Sequence, residues 1–318
     1  MAGHGTRAVI AALLANTGIA VTKFIAWLLT GASSMLAESV HSVADAGNQV
    51  LLLLGGQRAT RKATPVHPFG YGRVRYVYAF IVSIVLFSVG GLFALYEAWH
   101  KYQEVREGHP NELLESEWWW VPIAVLVAAI VMEALSFRTA IKESNKIRGT
   151  HSWVQFIRRA KAPELPVILL EDLGALIGLL FALIGVGMAL ITDNAYWDVA
   201  GTAAIGILLV VIAVILAIEM SSLLIGEGAS DETVQAIETA LSSDSGRLIH
   251  LRTLYVGPEE LLVAAKIGVD ATQSGDEIAR AIDAAEERIR AVAPQATSIY
   301  LEPDIYREHV SGESGAPR

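Results

Sequence analysis

Residues 33–56 read SSMLAESVHSVADAGNQVLLLLGG. In a helix, Glu38, His41, Asp45 and Asn48 recur at spacings of three, four and three, which puts all four on one face. The flanks are apolar, and the stretch is long enough to cross a bilayer. An ionisable group at membrane depth costs at least about 2.5–3.5 kcal/mol, so such groups stay inside a bundle, paired or bound to something. Asn and His also serve as plain glue between membrane helices. A His and an Asp four residues apart, however, can grip one metal ion from a single helix. With Glu38 on the same face, His41 and Asp45 point to metal.

The rest of the chain agrees with a membrane setting. Its 318 residues are 53% hydrophobic and only 18% charged, too apolar for an ordinary soluble protein of this length. Six spans are expected, at roughly 8–30, 33–57, 75–100, 118–141, 165–192 and 196–225. MAGHGTRAVIAALLAN at the start reads as a retained helix, because no small-residue cleavage signal follows its apolar run. Arg58, Arg61, Lys62, Arg73 and Arg75 lie between spans two and three. Lys142, Lys146, Arg148, Arg158, Arg159 and Lys161 lie between spans four and five. The opposite side is poor in base, so the positive-inside rule puts both termini in the cytoplasm of a multi-pass protein, with the plasma (inner) membrane as the expected location. Trp118, Trp119, Trp120, Tyr196 and Trp197 mark the outer interface, where aromatic rings prefer to sit.

Span five is the second informative stretch: residues 162–187, APELPVILLEDLGALIGLLFALIGVG. Glu171 and Asp172 are adjacent, so they point about 100° apart and do not both face one spot squarely. One reads as a ligand, the other as a neighbour or proton carrier. Gly174 and Gly178 form a GxxxG that admits a neighbouring helix. Span one carries Asn16 and Lys23, the latter either snorkelling or paired with a carboxylate. Glu133 of span four faces either a cavity or the inner interface. The loop HPFGYGR, residues 67–73, is a turn whose His67 is a candidate accessory ligand.

Composition divides the chain into a membrane domain at 1–225, a soluble domain at 226–306, which the orientation puts in the cytoplasm, and a disordered tail at 307–318. In the second part Ser230-Asp231-Glu232 opens a helix, 248–256 and 261–269 read as strands, Ser274 and Glu277 form a capping box, and 297–301 is the last strand. The order αββαβ predicts a small ferredoxin-like α+β fold. The fold class is therefore six transmembrane helices followed by this cytoplasmic domain.

SSMLAESVHSVADAGNQ, HPFGYGR and VILLEDLGALIGL, taken with the six spans and the αββαβ tail, resemble the cation diffusion facilitator family, and within it the zinc-transporter-nine-like branch. The resemblance covers nearly the whole chain. It implies export of a divalent metal from the cytoplasm against protons, by a homodimer, with the site between spans two and five. His41 and Asp45 match the two span-two ligands, and Asp172 matches the second span-five ligand. The first should lie four residues earlier, where this chain has Ile168. Glu171, a water or Asn48 would fill that gap. The frequent second loop histidine is Tyr71, and His250 is the one histidine of the tail before His309, which leaves that domain's own metal pair incomplete.

One imidazole with two or three carboxylates suits Zn2+, and also Mn2+, Fe2+ or Co2+. No organic cofactor is implied. With no cysteine, disulfides and thiolate sites are excluded. A net charge of −9 argues against nucleic acid. An enzyme is not indicated, since no nucleophile–base pair or phosphate loop is visible. Two alternatives remain open at this stage. One is a metal-binding membrane sensor without transport, suggested by Ile168. The other is an organic-cation permease, which would want aromatic residues that spans two and five supply only at Phe181.

Overall fold

The computed structural model describes residues 2–108, 112–242 and 247–305. The segment 307–318, expected to be disordered, lies outside them. The chain forms two compact units, one of residues 1–61 and 74–224, the other of 62–73 and 225–318.

The first unit is helical: α1 (Ala2–Thr30), α2 (Ser33–Ala59), α3 (Val74–Arg106), the single turn α4 (Glu112–Glu115), α5 (Trp120–Arg148), the short α6 (Trp153–Arg159), α7 (Glu164–Thr192) and α8 (Tyr196–Ile225). Among the described residues four helices, α3, α5, α7 and α8, are long and apolar enough to cross a membrane by length and composition. α1 and α2 are of similar length, 29 and 27 residues, and α2 is less apolar because of its polar stripe. The outward faces are apolar too. Val131, Leu135, Ile184, Ile207 and Ile218 are all more than half exposed. Such a surface suits lipid rather than water.

Between lipid-bathed helices there is little hydrophobic drive, so close van der Waals packing holds them. Glycines supply the closeness. A Cβ on Gly185 would stand 2.9 Å from the Trp197 carbonyl oxygen and 3.3 Å from the Cα of Gly201, which brings α7 and α8 backbone to backbone. The GxxxG of α7 works on two neighbours. Gly174 admits Ile212 of α8, while Gly178 admits the carboxylate of Glu38 from α2.

Two features of α2 and α3 depend on tertiary structure. The residue before α2, Ala32, has no side chain to cap the helix. Asp198 of α8 does so instead: its Oδ2 accepts the Ser33 backbone N–H at 2.9 Å and the Ser33 hydroxyl at 3.0 Å, and its Oδ1 accepts the Ser34 hydroxyl at 2.5 Å. The helix dipole favours a carboxylate there. α3 is π-helical from Leu86 to Leu92. Its buried residues Leu86, Gly90, Ala94 and Ala98 step by four. An unbroken α-helix of 3.6 residues per turn would carry such a run off the inner face, and the wider π-turn keeps it there.

The second unit contains α9 (Asp231–Ser242), β1 (Arg247–Gly257), β2 (Glu260–Val269), α10 (Gly275–Val292) and β3 (Ala296–Ile305). The sheet order is β1-β2-β3, with the first pair antiparallel and the second parallel. Parallel neighbours need a crossover, which α10 provides. Leu261, Val263, Ala265 and Ile267 alternate along β2 into a core with Ile237, Leu241, Ala285 and Ile289. The expected αββαβ order is therefore present. At α10 the Glu277 carboxylate accepts the Ser274 N–H at 2.7 Å, and Ser274 Oγ accepts the Glu277 N–H at 3.3 Å. The Ser274 N–H, with the Ser274 hydroxyl donating to the same carboxylate at 2.8 Å, holds the Glu277 carboxyl below its ordinary pKa.

Residues 62–73 belong to this second unit. A Cβ on Gly72 would come within 2.7 Å of both the Gly257 Cα and Glu260 Oε2, so the loop lies directly on the β1–β2 turn. Arg73 donates to the Tyr255 carbonyl oxygen at 3.4 Å. His67 packs edge-on to Tyr71, ring centroids 4.6 Å apart, and its N–H bonds Thr64 Oγ1 at 3.2 Å.

Candidate metal centre

The polar face of α2 is buried among α1, α3, α5 and α7, and its residues take their partners from different helices. Glu38 is fully buried, and its Oε2 meets the Lys23 ammonium of α1 at 2.9 Å. The same ammonium donates to Ser42 Oγ at 2.8 Å. Lys23 thus pairs with a carboxylate rather than snorkelling, and Glu38, expected among the less certain metal ligands, is tied up at one oxygen. Its other oxygen lies against Gly178, with no hydrogen-bond partner among the described residues.

One turn further, His41 is 1% exposed, and its Nε2 is 3.4 Å from Asp45 Oδ2. Its Nδ1 faces the π-helical segment, where a Cβ on Gly90 would stand 3.8 Å away. Neither ring nitrogen has a hydrogen-bond partner among the described residues, nor has Asp45 Oδ1. A buried polar atom left unbonded costs about 1–3 kcal/mol, and three of them here occupy one turn of helix. Such a cost is tolerated where the group has a ligand to serve.

α7 brings the adjacent carboxylates to two different places, as their angular separation requires. Glu171 accepts Asn48 Nδ2 at 2.7 Å and is 6% exposed. Asp172 accepts the Ser136 hydroxyl of α5 at 2.9 Å. It lines a cavity of about 840 Å³ together with Gln49, Ser136, Ile168, Arg75 and Glu164. Arg75 and Glu164 form a 2.5 Å ion pair there. Ile168 contributes only apolar wall.

His41 and Asp45 are therefore brought together, Asn48 joins Glu171, and Asp172 joins Ser136 on the cavity wall. His67 belongs to the other unit. Among the described residues no three His, Asp or Glu side chains are close enough to hold a metal ion. Three of the four carboxylates have turned to partners of their own: Glu38 to Lys23, Glu171 to Asn48 and Asp172 to Ser136. Sequence reasoning missed Ser136, although it sits three residues after Glu133 and so on the same face of α5. It also left open the position of Glu133, which lines a small void with Asn16, Ile19, Ser42 and Asp45.

Residues 9–225 match the family model described as the cation efflux transmembrane domain. The chain is 32% identical to the mouse protein named proton-coupled zinc antiporter SLC30A9, mitochondrial, over 232 residues, which are 72% of this chain and 39% of that one. It is 27% identical to metal tolerance protein C4 of Arabidopsis thaliana over 268 residues, 83% of this chain and 57% of that one. It is also 25% identical to the magnetosome protein MamB of Magnetospira sp. over 305 residues, 91% of this chain and 94% of that one. The chain spans less than half the length of the zinc antiporters it matches. Their mitochondrial names give the plasma-membrane expectation no support.

Proposed function

This chain belongs to the cation efflux, or cation diffusion facilitator, family, and on that premise we propose that it exports a divalent metal cation, zinc first, from the cytoplasm in exchange for protons. One observation supports this most directly: a buried His41–Asp45 pair whose nitrogens and free oxygen lack partners, on the helix next to a cavity that carries Asp172. Zinc antiporters and a metal tolerance protein among its relatives point the same way.

In this reading all six long helices cross the membrane, 226–306 is a cytoplasmic domain, both termini are cytoplasmic, and the chain works as a homodimer. The ion enters by the cavity beside Arg75 and Glu164. It loses water to Asp172, Gln49 and Ser136, and is then taken by His41 Nε2 and Asp45. Glu171 releases Asn48 or stays bonded to it, setting how many carboxylates reach the ion. With one imidazole and several oxygens, the site accepts zinc, manganese, iron(II) and cobalt, and geometry rather than raw affinity selects among them. A ligand must be deprotonated to hold metal, so protons arriving from the other side displace it. His41 suits this exchange because an imidazole can hold a metal when neutral and take up a proton when the metal leaves.

The test is metal flux into proteoliposomes across zinc, manganese, iron(II), cobalt and cadmium, with wild type beside Asp45→Ala and Asp172→Ala. Flux of one or two ions, lost in both variants, is the expected result. No flux of any ion, with metal still bound, would replace this reading by that of a membrane sensor.

A further inference from the structure

The resemblance leaves one ligand position apolar, at Ile168, and both carboxylates of α7 already have partners, Glu171 in Asn48 and Asp172 in Ser136. A different helix does offer a donor there. Glu133 of α5 lines the same small void as Asp45 and Ser42 of α2 and Asn16 of α1. Its helix is already engaged in the cavity one turn on, through the Ser136–Asp172 hydrogen bond. His41, buried to 1% exposure, points its unpartnered Nε2 at the Asp45 carboxylate that lines this void. Asp45 Oδ1 is itself buried without a partner. The nearby Lys23 ammonium is kept occupied by Glu38 and Ser42.

We propose that Glu133 is a direct ligand of the transported cation: the ion would draw Glu133, His41 and Asp45, which stand too far apart here to share one, into the set that position 168 leaves short. This rests on the reading of the chain as a metal carrier. It deepens that reading by moving one ligand from α7 to α5. The chemical consequence is a site of one imidazole and two carboxylates. Such a set is harder than one built on two imidazoles, so it admits manganese and iron(II) more readily beside zinc.

The chain contains no cysteine, so Glu133→Cys introduces a single thiol. In detergent micelles, cadmium or zinc should slow alkylation of that thiol by a maleimide by about tenfold or more, since a metal-bound thiolate is no longer free to attack. Protection should vanish when Asp45→Ala is added. Asp45→Cys, treated alike, tests the parent reading by itself. The isosteric Glu133→Gln covers the case in which the thiol variant fails to fold. Its half-saturating metal concentration for flux should rise by at least about tenfold. Protection at Asp45→Cys without protection at Glu133→Cys, and with unchanged flux in Glu133→Gln, overturns the Glu133 assignment and leaves the carrier standing. No protection at either position, with no flux in the wild type, overturns both.

Discussion

Removing the Lys23 ammonium by Lys23→Met would leave Glu38 fully buried with neither oxygen bonded, because Oε1 already lacks a partner and Oε2 has only Lys23. An uncompensated buried charge of this kind costs about 3–5 kcal/mol. Glu38→Gln strands the ammonium instead. Lys23 keeps its bond to Ser42 Oγ and an amide oxygen to share, so this change falls at the lower end, about 3 kcal/mol. The double variant has no buried charge to strand. Exchange of a whole buried pair for uncharged groups of similar volume is often neutral or better, so it should lie within about 1 kcal/mol of wild type. The two changes should thus be strongly non-additive, with a coupling of about 5 kcal/mol or more. The assay is reversible unfolding in mixed micelles at graded sodium dodecyl sulfate, followed by the fluorescence of the seven tryptophans. A double variant destabilised by the sum of the singles would refute the reasoning. It would mean that Lys23 and Glu38 are each solvated independently.

Gly178→Ala places a Cβ 2.8 Å from Glu38 Oε1 and should destabilise by about 1–3 kcal/mol, whereas Gly187→Ala on the same helix meets nothing within 4 Å and should be neutral or slightly stabilising; the same micelle titration separates them. Asp198→Ala removes the acceptor of the Ser33 N–H and the Ser34 hydroxyl, at a cost of about 2–4 kcal/mol, and Asp198→Asn should recover part of it; equal stability of all three proteins would deny the cap. In α10, the Glu277 carboxyl is held below its ordinary value of 4.5, so its support is complete above that pH and disappears as pH falls through the depressed pKa. Hydrogen exchange in the first turn of α10 should report this loss on acidification; Ser274→Ala, which keeps the backbone donor and loses the hydroxyl, should weaken the pH dependence, and Glu277→Ala should abolish it.

Much of this was legible in the chain, for reasons that differ from residue to residue. The three-four-three spacing put Glu38, His41, Asp45 and Asn48 on one face before any coordinates, because helical periodicity alone decides it. The divergence of Glu171 and Asp172 was likewise visible, as a consequence of adjacency on a helix. The αββαβ order followed from alternation along Leu261–Ile267 and the Ser274 capping box. What did not show was pairing between helices. Whether Lys23 turns toward Glu38 depends on the rotation of α1 against α2, and no spacing within either helix carries that information. The π-helical stretch is hidden for another reason: LFSVGGL is simply apolar, and its widened turn is set by the packing of Gly90 and Gly91 on α8 and beside His41. The trans cap does not show because a helix start is ordinarily capped by a side chain close by in sequence, whereas the acceptor of the Ser33 N–H comes from α8.

That cap bears on how the protein is made. The Ser33 amide and its acceptor on Asp198 are 165 residues apart. At a synthesis rate of about 5–20 residues per second, roughly 8–33 s separate the appearance of the two. During that interval the first turn of α2 has no Asp198, and until 123 residues beyond Asn48 have been made Asn48 has no Glu171. The helix that carries His41 and Asp45, less apolar than the four that follow it, therefore waits in an unfinished state for the rest of the bundle. Agents that delay or truncate the synthesis of α8 should leave α2 as the segment most exposed to quality-control proteases, even though it was among the first to be made.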